Sequence, residues 1–158
     1  MSKTAIMGFG NPCRSDDGIG CYVIDRLTQE ISDERVTFFD MGTSAFEVLF
    51  NLKNHNKIII VDAVINSGEK PGTIYKLPAS EINASIQDDP MVFLHSLKWD
   101  QALSYAKKIL QDAYPEDIVV YLISVDNTRL EIELSAEVKE AGEKVIKLIK
   151  EELLQTIE

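Results

Sequence analysis

At 158 residues, 45% hydrophobic and 27% charged, the chain has the composition of one globular domain, residues 1–158, with room for a sizeable core. A formal charge of −10 excludes a protein that coats nucleic acid, which needs a basic face, and would be repelled by an anionic membrane surface. Two cysteines are too few for a disulfide framework, and neither a membrane-spanning apolar run nor a signal peptide's basic-then-apolar start occurs, so the expected setting is the cytoplasm.

A short apolar strand, Thr4 to Met7, breaks at Gly8 and Gly10 into a polar loop that ends in adjacent acids, Asp16 and Asp17. Ile19, Tyr22, Val23, Leu27 and Ile31 then recur at helical spacing, which predicts a helix from Asp17 to about Ile31. Val36 to Asp40 reads as a second strand. Ser44 is placed to cap a following helix that takes its apolar contacts from Phe46, Leu49, Phe50 and Leu52. Lys57 to Val64 is the clearest strand, an unbroken β-branched run suited to a parallel sheet covered on both faces. The turn that follows is too short for a helical crossover, so the fourth strand, Thr73 to Leu77, is expected to run antiparallel.

Residues 78 to 95 are irregular, broken by Pro78 and Pro90; a loop of that length in a compact domain is more often functional than idle. It delivers His95 just before a helix from about Ser96 to Gln111, with Leu97, Leu103, Ala106 and Leu110 inward. Asp117 to Ser124 is a fifth strand, and Ser135 is placed to cap a last helix that turns Ala141, Val145, Ile149 and Leu153 to the core. The sum is an α/β fold: a three-layer α/β/α sandwich around a mostly parallel five-stranded sheet with one antiparallel strand.

Loops at the carboxyl ends of parallel strands are where ligands bind in such folds. Gly8-Phe-Gly10 matches the front of a dinucleotide fingerprint, with Asp40 where a ribose-binding acid would stand, so a nucleotide-binding regulatory module is one reading. Two acids at the helix start oppose it, because a pyrophosphate needs that positive helix end. Capping of the helix is the plain structural explanation for Asp16 and Asp17. Asp62 ends the apolar run of the third strand, and a buried carboxylate needs donors or a metal. Asp17, Asp62 and His95 all fall on one rim of the sheet, and two carboxylates with one imidazole suit a divalent transition metal. His55 lies in a polar turn at the opposite rim and reads as solvated. No G-x-S-x-G elbow accompanies Ser15 or Ser96, and Cys13 reads as a small semi-buried residue despite its neighbour Arg14.

Gly8-Phe-Gly-Asn-Pro-Cys-Arg-Ser-Asp-Asp-Gly-Ile-Gly20 closely resembles the N-terminal signature of the [NiFe]-hydrogenase maturation proteases, G-x-G-N-x-x-x-x-D-(D/E)-x-x-G. The likeness continues in order through Asp40-Met-Gly-Thr43, Val61-Asp-Ala63, the histidine before the third helix and Leu134-Ser-Ala-Glu-Val138. The resemblance implies a metal-dependent endopeptidase of aspartyl type that removes a C-terminal extension from a [NiFe]-hydrogenase large-subunit precursor after nickel insertion. It implies that Asp17, Asp62 and His95 bind the metal and carry the catalysis, with Asp17 standing where some members have glutamate. Asn11 and Asp16, with Gly8 and Gly10, would shape the loop, and Asp40, Gly42 and Thr43 would approach the substrate tail. The nickel would be carried chiefly by the substrate's own cysteines, though other divalent transition metals could occupy the site.

Overall fold

The computed structural model describes residues 3–43, 47–65, 67–81, 98–126 and 133–157. Within them β1 (Thr4–Phe9) leads through a 3-10 turn (Ser15–Gly18) into α1 (Ile19–Glu30), and β2 (Val36–Gly42) is followed by the short α2 (Val48–Asn51). Then come β3 (Lys57–Ile65), β4 (Ile74–Pro78), α3 (Lys98–Leu110), β5 (Asp117–Val125) and α4 (Ala136–Ile157). The strands form one five-stranded sheet in the order β2-β1-β3-β5-β4, parallel throughout except for β4. The antiparallel return expected of β4 is found: Ile74 pairs with Ile123 and Leu77 with Val120.

Alternation along the strands sends side chains to two separate cores. On one face Ile6, Ile59, Val61, Tyr121 and Ile123 meet α1 through Ile19, Val23 and Leu27, and α4 through Ala141, Val145, Ile149 and Leu153. On the other face Met7, Phe9, Ile58, Ile60 and Leu122 meet Val48, Leu52, Trp99, Leu103 and Ala106 of α2, its exit and α3. Each fully buried aliphatic side chain of this kind contributes roughly 1.5–3 kcal/mol, so the β-branched runs of β3 and β5 hold the sandwich together from its middle. Among the described residues no helix is long and apolar enough to cross a membrane.

The second helix differs from expectation. Among the described residues α2 spans Val48–Asn51, Val48 and Leu52 are buried, and Phe50 points outward with 80% of its surface exposed. Phe50 therefore does not supply the inward contact expected of it. Ser44, Phe46 and Leu97 lie outside the described residues. At the start of α4 the carbonyl of Ser135 accepts the Lys139 N–H, as a capping position should, but its hydroxyl donates to Asp16 at 2.8 Å.

Candidate active site

The glycine loop is held by close backbone approaches. A Cβ on Gly8 would lie 2.4 Å from the Gly20 carbonyl oxygen, so glycine lets the first turn of α1 sit directly on β1. Gly10 has φ +135°, and a Cβ there would fall 1.9 Å from the Asp17 carbonyl oxygen. The Asn11 N–H donates to Asp17 Oδ2 at 2.9 Å, and Asn11 Oδ1 accepts the Cys13 N–H at 2.9 Å. The loop therefore folds back on itself and fixes Asp17 at its end.

Neither acid does the capping that offered a plain explanation for both; no side-chain bond caps the 3-10 turn or α1. Asp16 is fully buried and reaches across to the last helix, accepting the Ser135 N–H at 2.6 Å and its hydroxyl at 2.8 Å. Beside it the Ser15 hydroxyl donates to the Glu133 carbonyl at 2.7 Å. Asp16 is thus a clasp between the first loop and the start of α4. Asp17 is left facing the sheet's rim.

Asp62 lies inside β3 rather than at its end, because the strand continues to Ile65. The rim position holds all the same. Pairing with β1 stops at Gly8 and Val61, so Asp62 is the first residue past the edge of β1 while still opposite Leu122 of β5. It is 4% exposed. Its Oδ1 accepts the Ala63 N–H at 2.8 Å and its Oδ2 accepts the Trp99 indole N–H at 2.9 Å. Burial pushes the Asp62 carboxyl well above the usual carboxylate range; the two donors pull it back, and the nearby charge of Asp17 raises it further. Asp17 comes from the turn that follows β1 and Asp62 from β3, so the two acids reach this rim from separate elements.

Asp40 stands opposite Gly8 in the β1–β2 register, and its Oδ1 accepts the Cys21 thiol at 3.1 Å and the Gly42 N–H at 3.2 Å. The Gly42 carbonyl accepts the Gly10 N–H at 2.8 Å, which ties the exit of β2 to the glycine loop. Thr43 is exposed at the end of that exit. Burial, then the bond to Asp40 and the charges of Asp40 and Asp62, push the Cys21 thiol upward, so it stays protonated and serves as a donor, not a nucleophile. Asp17, Asp62 and the Asp40–Gly42–Thr43 exit share one rim. His95 lies outside the described residues. Among the described residues no three His, Cys, Asp or Glu side chains form a metal-sized cluster, leaving Asp17 and Asp62 as the described part of the expected set. His55, at the other rim, is half-buried with its ring edge against Phe39, not solvated as expected.

Sequence reasoning passed over Trp99. Its signal was available: a single tryptophan just downstream of His95, whose indole N–H must find a partner once buried.

A family model described as "Hydrogenase maturation protease" matches residues 21–152. The chain belongs to the hydrogenase maturation protease family. A Methanocaldococcus jannaschii protein assigned to the same proteases is 30% identical over 151 residues, covering 91% of this chain and 92% of that one. The Hydrogenase 2 maturation protease of Escherichia coli is 31% identical over 83 residues, a match that spans only about half of either protein, 52% of this chain and 51% of that one. In three dimensions the hydrogenase maturating endopeptidase HybD from Escherichia coli superposes with a TM-score of 0.81, covering 98% of this chain and 93% of that chain at 22% identity, which speaks to the fold.

The glycine loop is a poor seat for a pyrophosphate. Its helix end carries two acids, one of them committed to Ser135 and the other, Asp17, accepting the Asn11 N–H, and the charge of Asp17 is felt at Asp62. The arrangement fits a cation. A buried carboxylate whose pKa is raised, with a second negative charge beside it, is relieved by a positive ion between them.

Proposed function

We propose that this chain is the cytoplasmic endopeptidase that removes the C-terminal extension of a nickel-loaded [NiFe]-hydrogenase large-subunit precursor, and that Asp17, Asp62 and His95 engage the nickel which the precursor carries. The observation that carries the reading is the placement of buried Asp62 one residue past the edge of β1, on the rim where the loop leaving β1 closes on Asp17. The family supports the reaction class. A sparse ligand set supports borrowing: the substrate supplies the rest of the shell, so precursor lacking nickel docks unproductively. Asp40, Gly42 and Thr43, tied to the glycine loop, meet the tail of the substrate.

Nickel brought by the precursor and held by Asp17, Asp62 and His95 would supply a positive charge able to polarise the scissile carbonyl. The chain's own groups do the rest. Asp17 and Asp62 orient the substrate against the exits of β1 and β3, and one of the two carboxylates takes a proton from the attacking water and returns it to the leaving nitrogen. Hydroxide adds to the carbonyl carbon, the C–N bond breaks, and the extension departs as an amine.

Incubation with nickel-loaded precursor, followed by mass spectrometry, should show the precursor shortened at its C-terminus, while nickel-free precursor stays intact. Asp17→Asn, Asp62→Asn and His95→Ala should each abolish cleavage with the fold retained. Full activity in any two of them would end the site assignment.

A further inference from the structure

We infer that Trp99 is a positioning residue for Asp62: its indole N–H fixes the plane of the carboxylate so that the remaining lone pairs face the incoming ion. The inference rests on the reading of Asp62 as a ligand of substrate-borne nickel. Trp99 is the chain's single tryptophan, 1% exposed, in the first turn of α3. Its Nε1–H donates to Asp62 Oδ2 at 2.9 Å, and its ring packs against Phe9 with centroids 6.3 Å apart.

An indole N–H can only donate, so this bond has one sense and no tautomer to exchange with. With the Ala63 N–H alone on Oδ1, the carboxylate could still turn about its last torsion. A second donor on Oδ2 stops that rotation. A carboxylate offers about four lone-pair sites, of which two are thus committed, leaving one on each oxygen. Packing does not explain the choice of residue, since any large apolar side chain would fill this space without aiming a polar atom at a buried acid. Groups that orient a ligand in this way change metal affinity by ~10- to ~100-fold when lost. Trp99 also follows His95 closely in sequence, so the helix that orients one proposed ligand begins just after another.

The test is calorimetric titration of the full chain with nickel(II) alone. Wild type should bind saturably, with matching saturable quenching of Trp99 fluorescence, and Asp62→Asn should lose that binding. Trp99→Phe keeps a ring against Phe9 and removes the N–H; its nickel affinity should fall ~10- to ~100-fold. Its Tm should fall by ~2–8 °C, since a buried carboxylate loses one of its two donors, and kcat on nickel-loaded precursor should fall with the nickel affinity. Should that variant fold poorly, a benzothienylalanine isostere supplied to a tryptophan auxotroph alters this position alone and keeps the shape of the indole. Wild-type nickel affinity in the variant or isostere would overturn the positioning role. Where wild type binds no nickel without the substrate's own ligands, the comparison is read on nickel-loaded precursor: wild-type kcat and KM in the variant and the isostere would overturn the positioning role, and full cleavage by Asp62→Asn would overturn the ligand reading of Asp62 on which it rests.

Discussion

At Gly10 the backbone leaves no place for a side chain. Its φ of +135° is one that L-residues rarely adopt, and an added Cβ would meet the Asp17 carbonyl oxygen at 1.9 Å. Gly10→Ala must therefore push the loop away from the turn that carries Asp17. We expect a loss of about 3 kcal/mol or more, a Tm lower by ~6 °C or more in thermal unfolding, together with weakened nickel binding. A wild-type Tm in this variant would show that the loop is not closed by that contact. Gly10 and Asp17 were legible in the sequence because their spacing is local. Asp62 was legible because a carboxylate interrupting an apolar strand is costly unless used. Its partner Trp99 was not, for the contact joins residues 37 apart, and the clasp from Asp16 to Ser135 joins residues 119 apart. Asp16 consequently read as a helix cap, the cheapest local account of an acid in that position.

Among elements, α4 is stapled to the sheet far from the site. Glu152 accepts the Tyr121 hydroxyl at 2.8 Å and pairs with Lys57 and Lys76 at 3.0 Å each, joining α4 to β5, β3 and β4. Burial works against ionisation of Glu152, but the bonds from Lys76, Tyr121 and Lys57 outweigh it and hold the carboxyl below its ordinary value. A carboxyl whose folded pKa is depressed gives stability that is present above its unfolded pKa and lost as pH falls through the folded one. Glu152→Gln should therefore cost about 2 kcal/mol near pH 7, the scale of hydrogen bonds to a charged group. That deficit should shrink as pH drops below about 4.5. Urea unfolding of both proteins across that range reads it directly, and a deficit independent of pH would assign the loss to packing alone. The helices and strands themselves were largely readable. β3 declared its burial through a β-branched run and β5 through a continuous apolar one, and the inward residues of α4 fell where the period placed them. In α2 the expected contacts held for Leu52 but not for Phe50, which ended outside, because a single aromatic in a short apolar stretch does not fix which way the helix face turns.

Across the whole molecule, a stable sandwich holds a pair of acids that a metal-free chain would do better without. The raised pKa of Asp62 means that the folded state resists its ionisation while the unfolded chain does not, so this group's contribution to stability declines as pH rises past about 4. Part of the rise comes from the charge of Asp17. Asp17→Asn removes that charge yet keeps an oxygen that can accept the Asn11 N–H, so the loop retains its closing bond. The variant should be cleavage-dead and, at alkaline pH, more stable than wild type by about 1 kcal/mol, a Tm higher by ~2–4 °C. The gain should vanish near pH 4, where Asp62 is protonated in both proteins, and nickel(II) should raise the Tm of wild type more than that of the variant. Such a trade of stability for a poised site is common where function needs like charges held together. A lower Tm for Asp17→Asn throughout the alkaline range would mean that the bond to Asn11 depends on the full charge and outweighs the repulsion. The two acids would then be bound by structure and not held in conflict for a cation.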